Sequence, residues 1–497
     1  MSAIAPHARF GAIALAVSGV LSGHLTTGHR VTLTRVSTDP FSNPGSQHAT
    51  EVEPDIFAFG RTVVGAFQVG RFSDGGASDI GWATSGDGGT SWRHGMLPGL
   101  TTHLGGGHWA RASDPSVGYD ARYHTWMIAS LGVSSVGIGL GVAVSRSADG
   151  LHWNKPAIAF ASRQNSYDKD WITCDNHPAS PHYGSCYIEA DIVTNGDLVI
   201  MTTSRNGGAS WSTPISPSGR PNGLGGQPIV QPGGKVIVPF ISIDGLAAFS
   251  SANGGRSWSK PSRITAIDLH QVAANTRNGD GLPSAAMDAS GTIYLAWQDC
   301  RFRAHCAAND IVFTTSANGT TWSRVRRVPI DATTSGTDHF IPGIGVNPAT
   351  SGGTAKIGLY YYFFPKANCS AATCKLEVGY ISSANGGKTW SAPATVAGPM
   401  NVSQIAKTNQ GNMVGDYIAT AVSRGKAVSL FAVGKAAAAD RAFNEAMYTA
   451  SGLAITGGTA KATASGLGTG KIESGSRPAG GRRAGTHRAQ SLHLYQR

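Results

Sequence analysis

One short pattern recurs along this chain and limits what it can fold into. It reads SGDGGTSW at 85–92, SRNGGASW at 204–211, SANGGRSW at 251–258 and SANGGKTW at 383–390. Two copies are one residue shorter, SADGLHW at 147–153 and SANGTTW at 316–322. Each residue type suits a tight turn. An Asp or Asn side chain accepts hydrogen bonds from the backbone amides that follow it, closing an Asx-type turn. Gly supplies the positive φ that such a turn demands. The closing Trp buries roughly 150–250 Å² at about 25 cal/mol/Å² where the returning strand meets its sheet. Asp87, Asp149, Asn206, Asn253, Asn318 and Asn385 therefore read as structural. Four of these six positions carry Asn, an exchange that keeps the turn chemistry and that a general acid could not tolerate.

Around each copy the same strand order can be read. The clearest unit runs SAAMD, a turn ASGT, IYLAWQD, a loop from Cys300 to Asn309, DIVFTTS, the repeated turn, then SRVRRVP. Four strands per unit, with the repeated turn as the last hairpin, make a β-propeller blade. With 66 Gly and only 14% charged residues, the composition suits short strands and tight turns better than long amphipathic helices. After the sixth copy comes a further unit, DYIATAV, AVSLFAVG and NEAMYTAS, that lacks a fourth strand. RVTLTRVS at 30–37 is available to supply it. The predicted fold is all-β, a propeller over 30–452 closed by its N-terminal strand, which removes an exposed sheet edge. Seven blades are expected, with six as the alternative.

The ends differ from the middle. Residues 1–23 carry Arg9, an apolar run from Phe10 to Leu21, and small residues at Ser22 and Gly23. A run this short fits a secretory signal peptide and falls short of the roughly 20 residues that span a bilayer. A secreted, extracellular protein with no membrane span is expected. Oxidising surroundings then favour local disulfides at Cys174/Cys186, Cys300/Cys306 and Cys369/Cys374. The chain has no CxxC spacing that would favour zinc. Of the net charge of +11, the stretch from Lys461 onward holds +6, seven Lys/Arg against Glu473. That tail, 457–497, is rich in Gly, Ala and Ser without apolar periodicity, so it is expected to be disordered rather than a specific nucleic-acid reader.

The repeated turn resembles the Asp box, or BNR repeat, of the sialidase superfamily, Ser-x-Asp-x-Gly-x-Thr-Trp. Sialidases have six blades, so a seventh unit departs from them. The resemblance implies a glycosidase, a hydrolase acting on complex or acidic glycans or glycoproteins at the funnel face, in a monomer. The family's leading Arg in the first blade has no counterpart, because the matching stretch here reads EPDIFAF. By position in the family pattern, Asp74, or Asp79 beside it, stands as general acid, with Glu189 and Tyr417 as the catalytic pair. The alternative is a non-catalytic glycan- or protein-binding propeller that lacks the full Arg triad, and a purely structural role is a third reading.

Strand order predicts which residues converge. Loops entering the first strands hold EVEPD, RASDP, YDKDW, DHFIP and GDY, which bring Asp55, Asp114, Asp170, Trp171, Asp338 and Asp416 to the funnel. These carboxylates would either lock neighbouring blades or bind substrate, with calcium as the one cofactor they suit. The facing loops add Arg71, Arg301 and Arg303, side chains suited to paired contacts with an acidic sugar.

Overall fold

Antiparallel meanders follow one another along the chain, each entered by a buried first strand. Residues 31–464 are described in the computed structural model, and the expected signal peptide lies outside them. Unit I comprises Ser46–Phe59, Thr62–Phe72, Ala77–Ser85 and Arg93–Met96. Unit II comprises Arg111–Asp120, Thr125–Val133, Gly139–Ser147 and Ala157–Ala161. Unit III contains Tyr167–Cys174, Cys186–Ile192 and Leu198–Ser204. Units IV, V and VI are built on Val236–Ser242, Ile293–Asp299 and Ile357–Phe364 as second strands. Their first strands are Ile229–Val230, Ser284–Met287 and Asp338–Val346. Unit VII runs through Thr420–Ser423, Lys426–Gly434 and Glu445–Ala450. Leu33–Arg35 pairs antiparallel with the last of these, Leu33 opposite Ala450 and Arg35 opposite Tyr448. The N-terminal strand therefore adds the strand that unit VII lacks. Among the described residues the helices are single 3-10 turns, and none is long and apolar enough to cross a membrane.

Four of the first strands carry an irregularity. Unit I is bulged between Val52 and Asp55, unit II between Ser113 and Ser116, unit III between Asp168 and Trp171, and unit VI between Phe340 and Gly343. The bulged residues Glu53, Asp114, Lys169 and Ile341 all have φ between 45° and 59°. Pro54, Pro115 and Pro342 follow three of them, where a missing N–H costs the ladder nothing. Just past the bulge in units I and II, and on the unbulged first strand of unit V, a side chain reaches the next unit. Val117 N donates to Asp55 Oδ2 at 2.6 Å, Ile172 N to Ser116 Oγ at 3.0 Å, and Ile344 N to Ser284 Oγ at 3.0 Å. Ala285 N donates likewise to Gln227 Oε1 at 2.9 Å. These amides lie on strand edges with no ladder partner and would otherwise be buried unpaired.

The repeated turns close as their chemistry predicts. Asp87 Oδ1 accepts the amides of Thr90 at 2.9 Å and Ser91 at 3.0 Å, and Asn253 Oδ1 accepts that of Ser257 at 3.0 Å. Their glycines press on the unit before. Gly255 adopts φ 77°, and a Cβ there would come within 2.4 Å of Thr203 Oγ1 in unit III. Gly89, at φ 93°, packs in the same way against Val428 of unit VII. Hydrophobic cores accordingly lie between consecutive units: Val64, Ile80, Val117 and Ile128 join I to II, and Tyr187, Met201, Val238 and Trp258 join III to IV.

Two expectations are corrected. Trp153, Trp258 and Trp390 are buried, but Trp92, Trp211 and Trp322 are only half-buried, so not every repeat gains a full aromatic core. The segment from 457 is not uniformly unstructured either. Ala460–Lys461 pairs with Thr389–Trp390, and Thr463–Ala464 with Arg326–Arg327. Exposed outer edges accept a strand through its main chain alone, so no apolar pattern was needed. Residues beyond 464 lie outside the described part. The disulfides Cys174–Cys186, Cys300–Cys306 and Cys369–Cys374 form as expected.

Trp258 meets Tyr187 and Phe249 edge-on at 6.1 and 5.7 Å between ring centroids. Trp258→Ala should cost about 3–5 kcal/mol, and the half-buried Trp92→Ala clearly less. Denaturant unfolding of the two variants checks this, and equal losses would contradict the packing described. Deleting 33–37 should lower the melting temperature more than truncation after Thr456. The first removes a strand together with the buried contacts of Ser37 with Glu51 and Met447, whereas the second removes exposed two-residue pairings.

Candidate functional site

A left-handed residue inside a strand throws its side chain out of the pleat, and three of the four bulges bring a charge to one place. Lys169 Nζ lies 3.4 Å from Glu53 Oε1, 3.8 Å from Asp114 Oδ1 and 2.6 Å from Asp416 Oδ2. Arg277 adds a bidentate contact to Asp416, with Nε at 2.5 Å and Nη2 also in contact. All four partners of this network on units I, II, III and VII are buried. Burial, offset only in part by Lys169, pushes Glu53 up to about 7 and Asp114 up to about 6. Burial acts on Asp416 in the same sense, but Arg277 and Lys169 together outweigh it and hold its carboxyl well below the usual range.

Arg277 reaches this cluster from the long connection between units IV and V. Its amide donates to Asn412 O at 2.8 Å, and Asn412 N donates back to Asn275 O at 2.8 Å. Asn412 belongs to the hairpin Ala406–Thr408/Gly411–Met413. That hairpin is anchored on unit I, where Lys407 N donates to Gln47 Oε1 at 2.9 Å and Asn409 N to Ser73 O at 2.8 Å. A strap thus runs from unit I to the IV–V connection, carrying Arg277 with it.

Beside the strap opens a cleft of about 700 Å³, lined among others by Arg71, Asp74, Asp114, Arg163, Asp168 and Arg277. Arg71 is buried, donates through Nη1 to Gln68 Oε1 at 3.1 Å and Gly76 O at 2.9 Å, and leaves Nε without an acceptor. Burial, with Arg277 nearby, brings its guanidinium down to about 10. Asp74, half-exposed, is clasped by Arg111 at 2.7 Å. Slight burial opposes that contact, yet Arg111 holds the Asp74 carboxyl below its ordinary value. Arg163 is exposed and forms no ion pair among the described residues.

The other expected residues go elsewhere. Asp170, Trp171 and Tyr417 line a separate void of about 10 Å³, room for about one water. Tyr417 donates to Pro115 O at 3.0 Å and meets Trp171 edge-on at 5.1 Å. Burial pushes its phenol well above the usual value. Asp170 and Glu189 are buried without a side-chain partner among the described residues, and burial drives both carboxyls far up, opposed at Glu189 only by the Gly226 amide. Asp74, Glu189 and Tyr417 are therefore not assembled into one group: the first lines the cleft, and the other two are buried. Arg301 binds Asp299 at 2.6 Å and Thr265 Oγ1 at 3.1 Å. Arg303 is buried against Asp310 at 2.6 Å and Asp331 at 2.8 Å. Both expected substrate arginines are thus tied up in the framework, Arg301 also reaching Thr265 of unit IV, instead of lining the cleft. Asp338 accepts from Asn309 N at 2.7 Å and faces His270 at 3.3 Å, a lock between units V and VI.

For calcium the donor sets fit poorly. The three carboxylates that converge have the Lys169 ammonium among them. Asp310, Asp331 and His339 lie within chelating distance of one another, but Arg303 and Arg327 already neutralise the two acids. Sequence reasoning missed Arg163 and Arg277, which sit in connections with no repeated pattern. Lys169 was within reach, since EPD, DPS and KDW occupy the same place in successive first strands.

No family model and no curated protein matches the chain. Solved structures overlap it loosely. A protein of unknown function from Dyadobacter fermentans is 14% identical, covers 70% of this chain and 98% of its own, and gives a TM-score of 0.44. The NanB sialidase of Streptococcus pneumoniae is 13% identical over 85% of this chain and 71% of its own, with a TM-score of 0.42. The Hadza microbial sialidase Hz136 is 13% identical over 85% and 95%, with a TM-score of 0.44.

The buried acids predict an unusual pH response. Asp55, like Glu51, is pushed up to about 7 by burial, and Asp79 up to about 8. A carboxyl whose pKa is raised on folding binds its proton more tightly in the native state. Its stabilisation is present at low pH and is lost as pH rises from the unfolded value towards about 7, by up to about 1.4 kcal/mol per pH unit. Asp416 acts in the opposite sense, and its share is lost only as pH falls below the ordinary Asp range. The melting temperature should therefore decline from about pH 5 to about pH 8. Asp55→Asn keeps an acceptor for the Val117 amide and should flatten part of that decline. A wild-type melting temperature that climbs across the same window would contradict the assignment.

Proposed function

We propose that this chain is an exported seven-bladed β-propeller that binds acidic glycans in the cleft beside the strap and does not turn over sialosides. Several contacts support a ring of seven. First strands meet in order from unit I through unit VII, and Thr420–Ser423 of VII meets Ser46–Phe59 of I. Gly89 of unit I packs on Val428 of unit VII as Gly255 of IV packs on III, and Ser423 Oγ donates to Gly60 O at 3.0 Å. The six repeated turns and three local disulfides accord with an Asp-box protein made for an oxidising compartment.

One observation carries the choice of ligand. Arg163, exposed and in no ion pair among the described residues, lines the same cleft as Arg71, whose Nε has no acceptor. Of the other charges there, Asp74 is committed to Arg111, Arg277 to Asp416 and Asp114 to Lys169, while Asp168 accepts the Lys169 amide and has no ion pair among the described residues. Arg163 is thus the exposed cation of this lining, and a guanidinium so placed favours a ligand carboxylate. Hydrolysis is disfavoured because an acid held below its ordinary range is a poor proton donor at neutral pH, and because Tyr417 and Glu189 do not reach the cleft.

A glycan array comparing uronate- and sialate-terminated with neutral glycans tests the reading. Acidic glycans should be retained selectively. Arg163→Ala should weaken them about tenfold or more, as expected for losing a charge-assisted contact of about 1.5–3 kcal/mol. Equal retention of neutral glycans would sink the proposal. Turnover of a fluorogenic sialoside at any pH from about 4 to 8 that Asp74→Ala abolishes would restore the hydrolase reading.

A further inference from the structure

We infer that the ligand of this cleft is amphiphilic, an acidic sugar joined to an apolar aglycone that lies on Val136 and Ile138. This rests on the acidic-glycan reading above and names the part of the ligand that reading leaves open. Both residues line the cleft, and they are 68% and 47% exposed. A single exposed aliphatic side chain needs no explanation. Here two stand on one tight turn, at the mouth of a charged cleft, backed by Val133 and Leu140 in the same lining.

The turn is held rigidly in that position. It joins Thr125–Val133 to Gly139–Ser147 in unit II. Ser134 Oγ accepts the amides of Val136 at 3.3 Å and Ile138 at 3.0 Å, and Ser134 N donates to Ile138 O at 2.8 Å. Arg111, which clasps Asp74, also donates to Ser135 O at 2.5 Å. Gly137, at φ 79°, packs so closely on unit I that a Cβ there would lie 2.4 Å from Asp74 O. One guanidinium therefore fixes the apolar tip to the loop that bears the cleft's acid. A preorganised apolar surface loses little conformational entropy when a hydrocarbon covers it, and a continuous charged-then-apolar lining matches a ligand with the same order.

Methyl β-D-glucuronide and octyl β-D-glucuronide, the latter below its micellar concentration, test the proposal by calorimetry on the full chain. The octyl compound should bind at least about tenfold more tightly, since each buried methylene contributes up to about 0.8 kcal/mol. Val136→Ser combined with Ile138→Ser should bring the ratio of octyl to methyl affinity down to about one, with circular dichroism confirming the fold. Ile243→Ser removes an equally exposed aliphatic tip that does not line the cleft, and should change neither affinity. Equal affinity of wild type for the two glucuronides overturns the amphiphile and leaves the acidic-glycan reading standing. An octyl advantage that survives the double substitution also overturns it, because the chain then rests elsewhere. Failure of both compounds to bind overturns the acidic-glycan reading, and this inference with it.

Discussion

The innermost strand of each unit has one edge that its own meander cannot pair, and most of this structure follows from how that edge is satisfied. A buried amide left without an acceptor costs about 1–3 kcal/mol, so a stack of such units would be penalised at every junction. The bulge resolves this locally. It shifts the strand so that the next side chain, Asp55 or Ser116, meets an amide of the following unit. The same shift forces one residue into the left-handed region and turns its side chain away from the ladder. Structural locking and the presentation of polar groups are thus two results of one backbone irregularity.

That coupling accounts for the electrostatics. Once the bulges of units I and II carry Glu53 and Asp114, the charges they deliver are too buried to stay unpaired. Lys169, at the same position in unit III, answers them together with Asp416. Breaking such a buried network by removing one partner leaves an uncompensated charge, which costs far more than the pairing gains. The cluster is therefore best read as a fixed structural centre. Chemistry or binding belongs to the cleft beside it, where side chains remain in reach of solvent.

How much of this could be read from the chain alone depends on whether a residue's role is local. The repeated turns were legible because Ser, Asp or Asn, Gly and Trp do their work within eight positions, and Asp87 and Asn253 make the predicted bonds. The strand missing from unit VII was legible because 30–37 had a β pattern and no other use. Asp55 and Asp338 stand among the carboxylates expected either to lock neighbouring units or to bind substrate, and both form locks. Arg301 and Arg303 misled, because a short disulfide loop rich in arginine looks like a recognition loop. Acids close in the same unit, Asp299, Asp310 and Asp331, capture them instead. Arg277 was illegible: it sits in a connection without pattern, and its direction is set by Asn412, far away in sequence.

The strap explains why the open cleft lies to the side of the charged centre rather than over it. Hairpin residues Lys407 and Asn409 hold unit I while Asn412 holds the connection that carries Arg277. With Arg277 delivered to Asp416, the carboxylates at the centre are neutralised, and a ligand acid gains nothing by approaching them. Space and an exposed cation coincide in this cleft, where Arg163 shares the lining with the turn that bears Val136 and Ile138. The same hairpin contributes Asn409 and Gln410 to that lining, so the element that covers the charged network also forms part of the cleft's wall.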